Sequence, residues 1–91
     1  MTIRYARHPD LRLTALEGEG VALHIGTRRY YSVNESGLDI LDALAAPKTL
    51  EELVAVLTAK FDVTPEQAEA TTRAFIERGL STGTLTAEGE P

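Results

Sequence analysis

The spacing of apolar residues changes at Asn34, and this change restricts the chain to a fold with strands first and helices after them. Between residues 11 and 33, apolar and polar side chains alternate with a period of two, which is typical of half-buried strands. Glycine-containing connections at residues 18–20 and 26–27 divide this stretch into three strands. Such short connections join antiparallel neighbours, so the sequence predicts a three-stranded antiparallel sheet.

After Asn34, apolar residues recur at the spacing of amphipathic helices. Asn34 is a favourable N-cap for a first helix, which Pro47 ends. Thr49 opens a capping-box pattern, T-x-x-E, for a second helix, and Thr64 caps a third that should end near Gly79. The predicted fold class is therefore α+β, with three helices on one face of a three-stranded antiparallel sheet.

The segments on either side of this pattern contain few apolar residues. We therefore predict an N-terminal arm at residues 1–10, one folded domain at residues 11–80, and a flexible C-terminal tail at residues 81–91. A chain of 91 residues can build one hydrophobic core but not two.

Charge argues against a nucleic-acid partner. The net charge is −5, which opposes the release of counterions that drives non-specific binding to DNA or RNA. A DNA-recognition helix usually carries several Lys or Arg residues, whereas the second predicted helix has only Lys60 and the third has Arg73 and Arg78 among three glutamates. Strands followed by helices also suit a winged-helix domain that binds DNA, so a DNA-binding regulator is kept as the main alternative function.

Neither catalysis nor a cofactor is indicated. His8 and His24 are the only histidines, and neither has a serine or carboxylate at the spacing of a nucleophile and base. The chain has no cysteine, which suits a reducing compartment, and no run of eighteen apolar residues or apolar signal segment. We expect a cytoplasmic protein with no catalytic residue, cofactor, metal site or membrane segment.

The third predicted strand, residues 28–33, lies at an edge of the sheet and has a free row of N–H and C=O groups. Tyr30 and Tyr31 would offer contact surface on both faces, and such an edge can accept a strand from another chain. Arg28 and Arg29 could instead be charges that prevent aggregation, and the edge could also pair with a second copy of the chain. The pattern alone permits peptide binding without requiring it.

A run through this edge resembles the PqqD-like family, the RiPP precursor recognition elements. The run is R-Y-Y-S-V-N-E-S-G at residues 29–37, followed by I-L at 40–41 and T-L-E-E-L-V at 49–54. The similarity extends over residues 21–80. The resemblance implies a winged-helix-like domain that binds the leader segment of a ribosomally made precursor peptide.

In that family the leader adds as an antiparallel strand to the third strand and lies beside the third helix. Carried over to this chain, the resemblance implies peptide contacts by Arg28, Arg29, Tyr30, Tyr31, Ser32 and Val33. The opposite wall would be one flank of the third helix, for which we favour the small and weakly polar set Gln67, Thr71, Ala74 and Arg78. The other flank, which includes Glu69 and Arg73, is the alternative. Thr71 and Thr72 depart from the family, which often has an acidic and then an aliphatic residue there.

The resemblance also implies partners. A stand-alone chain of this length is most similar to the lasso-peptide B1 proteins, which deliver the precursor to a separate leader peptidase, a B2-type cysteine protease. The alternative is the role of PqqD itself, which works with a radical-SAM enzyme.

Overall fold

The computed structural model describes residues 2–90, which form five strands and three helices, so Met1 and Pro91 of the predicted arm and tail lie outside the described residues. In chain order the elements are β1 (Thr2–Arg7), β2 (Leu11–Leu16), β3 (Glu19–His24), β4 (Arg29–Asn34), α1 (Glu35–Ala43), α2 (Leu50–Lys60), α3 (Pro65–Thr82) and β5 (Leu85–Glu90). The predicted α+β class, with a three-stranded antiparallel sheet followed by three helices, is confirmed. None of the helices in residues 2–90 has the length and apolar character needed to cross a membrane.

The three-stranded sheet has the order β2-β3-β4, with both pairs antiparallel. Its last strand begins one residue later than the sequence predicts, because Arg28 has a φ of 59°. A left-handed residue cannot continue a strand, and the Arg28 N–H instead donates to the His24 carbonyl at 2.7 Å. Arg28 therefore belongs to the turn before β4.

The helices begin at the predicted caps. The Asn34 side chain accepts the Gly37 N–H at 2.9 Å, and Thr49 and Thr64 each take part in a reciprocal capping box. The end of α3 differs from the prediction, because the helix runs past Gly79 to Thr82 and ends at Gly83, which has a φ of 79°.

Gly79 has a different role, since it lies inside α3 under the side chain of Leu85. A Cβ at position 79 would come within 2.5 Å of the Leu85 Cγ and Cδ1 atoms. Glycine at this position allows the last strand to pack closely on the helix.

The two ends of the chain form a second sheet, which corrects the prediction of an arm and a frayed tail. β1 pairs with β5 in antiparallel register from Thr2↔Glu90 to Arg7↔Leu85. Leu85 is 3% exposed and belongs to the core, Tyr5 packs against the same core, and the Tyr5 N–H donates to the Lys48 carbonyl at 2.7 Å. Burial and backbone pairing thus hold both segments on the domain.

The core lies between the helices and the inner face of the three-stranded sheet. Its buried apolar residues are Leu11, Ala22, Ile40, Leu41, Leu44, Leu53, Leu57, Ala68, Ile76 and Leu85. Thr72, where the resemblance implies an aliphatic residue, is fully buried, and its hydroxyl has no hydrogen-bond partner among the described residues. A buried hydroxyl without a partner costs stability, so Thr72 weakens the core stripe of α3.

Candidate functional site

β4 is the exposed edge of the three-stranded sheet. Among residues 2–90 it pairs only with β3, so its other edge has free backbone N–H and C=O groups. Side chains alternate along it as in any strand: Tyr31 and Val33 are half-buried and pack against the core, whereas Tyr30 and Ser32 are exposed. The edge is therefore accessible along its length, above an apolar layer.

A groove of about 700 Å³ runs between this edge and α3. The β4 wall consists of Tyr30, Tyr31, Ser32, Val33 and Asn34, and the α3 wall consists of Thr71, Ala74, Phe75, Arg78, Gly79 and Thr82. The buried core residues Ala22, Ile40 and Leu41 lie at its base. An apolar base between an open strand edge and a helix can bind an extended segment by both backbone and side-chain contacts.

The groove brings together seven of the ten residues predicted for peptide contact. They are Tyr30, Tyr31, Ser32, Val33, Thr71, Ala74 and Arg78. The favoured flank of α3 is the one that faces the groove, whereas on the other flank Ile76 is buried in the core and Glu69 and Arg73 form an exposed ion pair.

Three predicted contact residues do not line the groove. Arg28 lies in the turn, and Arg29, the first residue of β4, is exposed outside the groove. The Gln67 side chain closes its own capping box, because its Oε1 accepts the Thr64 N–H at 3.1 Å. A side chain held at the helix start is not available as a wall of the groove.

Several lining residues were not predicted from the sequence. Thr82 and Thr84 lie at the end of α3 and just after it, where the sequence suggested a tail, and both hydroxyls are within 3.3 Å of the Gly79 carbonyl. Phe75 contacts the start of α1 so closely that a Cβ on Gly37 would be 2.8 Å from its Cε2 atom. The apolar spacing of α3 contained a signal for Phe75, but no local pattern indicated the threonines.

A smaller cavity of about 320 Å³ continues the groove beyond the end of β4. Its apolar lining is Leu57, Phe61, Val63 and Ala68, and it shares Asn34, Ser36 and Thr71 with the groove. The first half of α3 therefore lies beside the end of β4, so the helix runs opposite to the strand. The second half of α3, with Arg78 and Thr82, lies toward the start of β4.

The chemistry of the groove suits binding. Its lining contains aliphatic and aromatic side chains, hydroxyls, one amide and a single charged group, Arg78. The histidines lie outside it: the centroids of the His8 and His24 rings are 4.6 Å apart, with the ring planes tilted by 39°, and each Nδ1 accepts a backbone N–H. Within residues 2–90, no three His, Asp or Glu side chains are grouped to hold a metal ion.

Comparison with known proteins identifies two similar structures and one matching family. No curated protein sequence matches the chain. The structure of TbiB1 in complex with the TbiA(beta) leader peptide is similar, with a TM-score of 0.80 and 24% identity over 94% of this chain and 98% of that one. A lasso peptide synthetase B1 complexed with the leader peptide has a TM-score of 0.72 and 17% identity, over 90% of this chain and 96% of that one.

These two structures share the winged-helix-like fold that the sequence predicted. The family model described as coenzyme PQQ synthesis protein D, PqqD, matches residues 19–85. The match includes the whole of β3, β4 and the three helices, and therefore both walls of the groove. The chain belongs to the PqqD family, as the resemblance around residues 29–37 indicated.

Proposed function

We propose that the protein binds the leader segment of a ribosomally synthesised precursor peptide and catalyses no reaction itself. The observation that carries the proposal is the groove, in which the open edge of β4 faces Thr71 and Ala74 of α3 above an apolar base. The two similar structures were each solved with a leader peptide, which supports the same kind of ligand here.

In the proposed complex the leader lies antiparallel to β4 as a fourth strand of the sheet. Backbone hydrogen bonds to the edge contribute affinity that does not depend on sequence, and alternate leader side chains enter the groove and contribute selectivity. The leader is disordered when free, so part of the binding free energy is used to order it. The net affinity is lowered in this way, which suits a protein that must later release the leader.

We further propose that the bound leader is presented to a separate cysteine leader peptidase in the cytoplasm, where ribosomal precursors are made. The similarity to the two B1-type structures supports this partner over a radical-SAM enzyme. Neighbouring genes test the choice: a short precursor beside a transglutaminase-like protease is expected, and a radical-SAM gene in place of the protease would contradict it.

Replacing Ser32 with proline tests strand addition. The Ile25 N–H donates to the Asp10 carbonyl at 3.0 Å, so Leu11 and His24 form a non-hydrogen-bonded pair and His24 directs its own backbone groups toward Arg29 of β4. Because N–H groups alternate in direction along a strand, the Ser32 N–H then points to the free edge. Proline removes that donor and places its ring against the incoming strand. We expect binding to weaken about tenfold or more, since a net hydrogen bond contributes roughly 1 kcal/mol and the ring adds a steric clash.

The ligand for this test is a synthetic, fluorescein-labelled peptide with the leader sequence of the precursor encoded beside this gene, here called the leader probe. Fluorescence anisotropy gives its dissociation constant, and circular dichroism confirms that each variant is folded. Ser32→Ala is the matched control, because it removes the side chain and keeps the N–H. A folded proline variant that binds the probe as tightly as the alanine variant would count against strand addition.

A further inference from the structure

Arg78 is the one charged side chain in the lining of the groove, and it has no ion-pair or hydrogen-bond partner within residues 2–90. Among the residues that the structure describes, it forms no ion pair, although the chain has fourteen acidic residues to nine basic ones. By contrast Arg73, on the opposite flank of α3, pairs with Glu69 at 3.4 Å. The unpaired cation is thus on the flank that faces β4.

The helix itself cannot provide a carboxylate for Arg78. Side chains on a helix meet neighbours three or four positions away, and for Arg78 these are Ala74, Phe75, Ser81 and Thr82, none of which is acidic. The nearby threonine hydroxyls are already within hydrogen-bonding distance of the Gly79 carbonyl. The guanidinium is therefore free to meet an anion that enters the groove.

The surroundings would strengthen such a contact. The side chains next to Arg78 in the groove are aliphatic, aromatic or hydroxyl-bearing, and a strand bound to β4 would cover them and exclude water. An ion pair that is partly removed from water is stronger than one on an open surface, and guanidinium groups bind carboxylates with two parallel hydrogen bonds.

We infer that Arg78 selects leader peptides that carry an Asp or Glu at the position opposite the start of β4. This inference rests on the proposed function. Because α3 runs opposite to β4, Arg78 lies toward Tyr30 and not toward Asn34. In an antiparallel leader strand, the acidic residue belongs to the C-terminal part of the bound segment.

The test is a charge-exchange experiment with the leader probe. Each Asp and Glu of the probe is replaced in turn by Gln and by Lys, and each peptide is titrated against the wild type, Arg78→Gln and Arg78→Glu. At one acidic position, we expect the Gln peptide to bind the wild type about tenfold more weakly than the unchanged probe does. The affinity of that Gln peptide should be little lower for Arg78→Gln than for the wild type, because the contact is already lost. The Lys peptide at that position should bind Arg78→Glu more tightly than it binds the wild type.

Arg73→Gln is the matched control, because it makes the same charge change on the flank of α3 that faces away from the groove. If Arg73→Gln weakens binding as much as Arg78→Gln, or if no acidic position couples to residue 78, the inference is overturned. A wild type that does not bind the probe overturns the proposed function and this inference together. If Arg78→Gln binds the unchanged probe as tightly as the wild type does, while Ala74→Arg loses binding, this inference alone is overturned.

Discussion

Ala74→Arg is expected to weaken binding of the leader probe at least about a hundredfold while the domain stays folded. An effect of this size is comparable with the loss of a central contact in an interface. Ala74 is exposed on α3 and lines the groove opposite β4. An arginine there places a long side chain where the leader would lie. Because alanine and arginine are both good helix formers, the substitution should leave the stability of α3 almost unchanged.

Ala70→Arg is the control for this prediction. Ala70 is also an exposed alanine of α3, one turn earlier, and it lines neither the groove nor the smaller cavity. The two variants have the same composition and net charge, so a difference in their dissociation constants reports the position of the arginine. Equal affinity for the probe would show that the leader does not occupy the groove.

Leu85→Ala is expected to destabilise the domain by about 2–5 kcal/mol, which is the usual cost of truncating a fully buried leucine. Leu85 is 3% exposed, lies against Gly79 and is the first residue of β5. For a domain of this size, the melting temperature should fall by at least about 10 °C. Thermal denaturation followed by circular dichroism measures the effect.

Thr86→Ala is the control, since Thr86 is the exposed next residue of the same strand. It should change the free energy of unfolding by no more than about 0.5 kcal/mol, as is usual for surface positions. If Leu85→Ala were as mild as Thr86→Ala, residues after α3 would be a dispensable tail, as the sequence suggested, and the packing of β5 on Gly79 would contribute little.

Local signals in the sequence were sufficient to predict the helix caps and most of the residues that line the groove. Asn34, Thr49 and Thr64 each act within three residues of their own position, so their capping roles could be read directly. The flank of α3 that contains Thr71 and Ala74 was also predicted, because its members lie on one side of a regular helix. Both features follow from short-range geometry.

The structure differs from the sequence predictions where interactions between distant residues, or competing local interactions, determine it. β1 and β5 pair across almost the whole chain, and nothing near Ile3 or Leu85 in the sequence indicates that they share a sheet. Gly79 was predicted to end α3 because glycine often follows a helix, but it lies inside the helix, where the absence of a side chain leaves space for Leu85. Gln67 has the right position for the groove wall, yet a capping bond to Thr64 holds it at the helix start.

Amide hydrogen exchange, measured by NMR with and without a saturating concentration of the leader probe, tests strand addition most directly. Outward-pointing amides of β4 should exchange at least about tenfold more slowly in the complex, because each gains a partner from the leader. Amides on the free edge of β2, at the other side of the same sheet, should not change. Unchanged exchange in β4 with the probe fully bound, or protection at β2 or β5 in its place, would contradict the proposal that the leader pairs with β4.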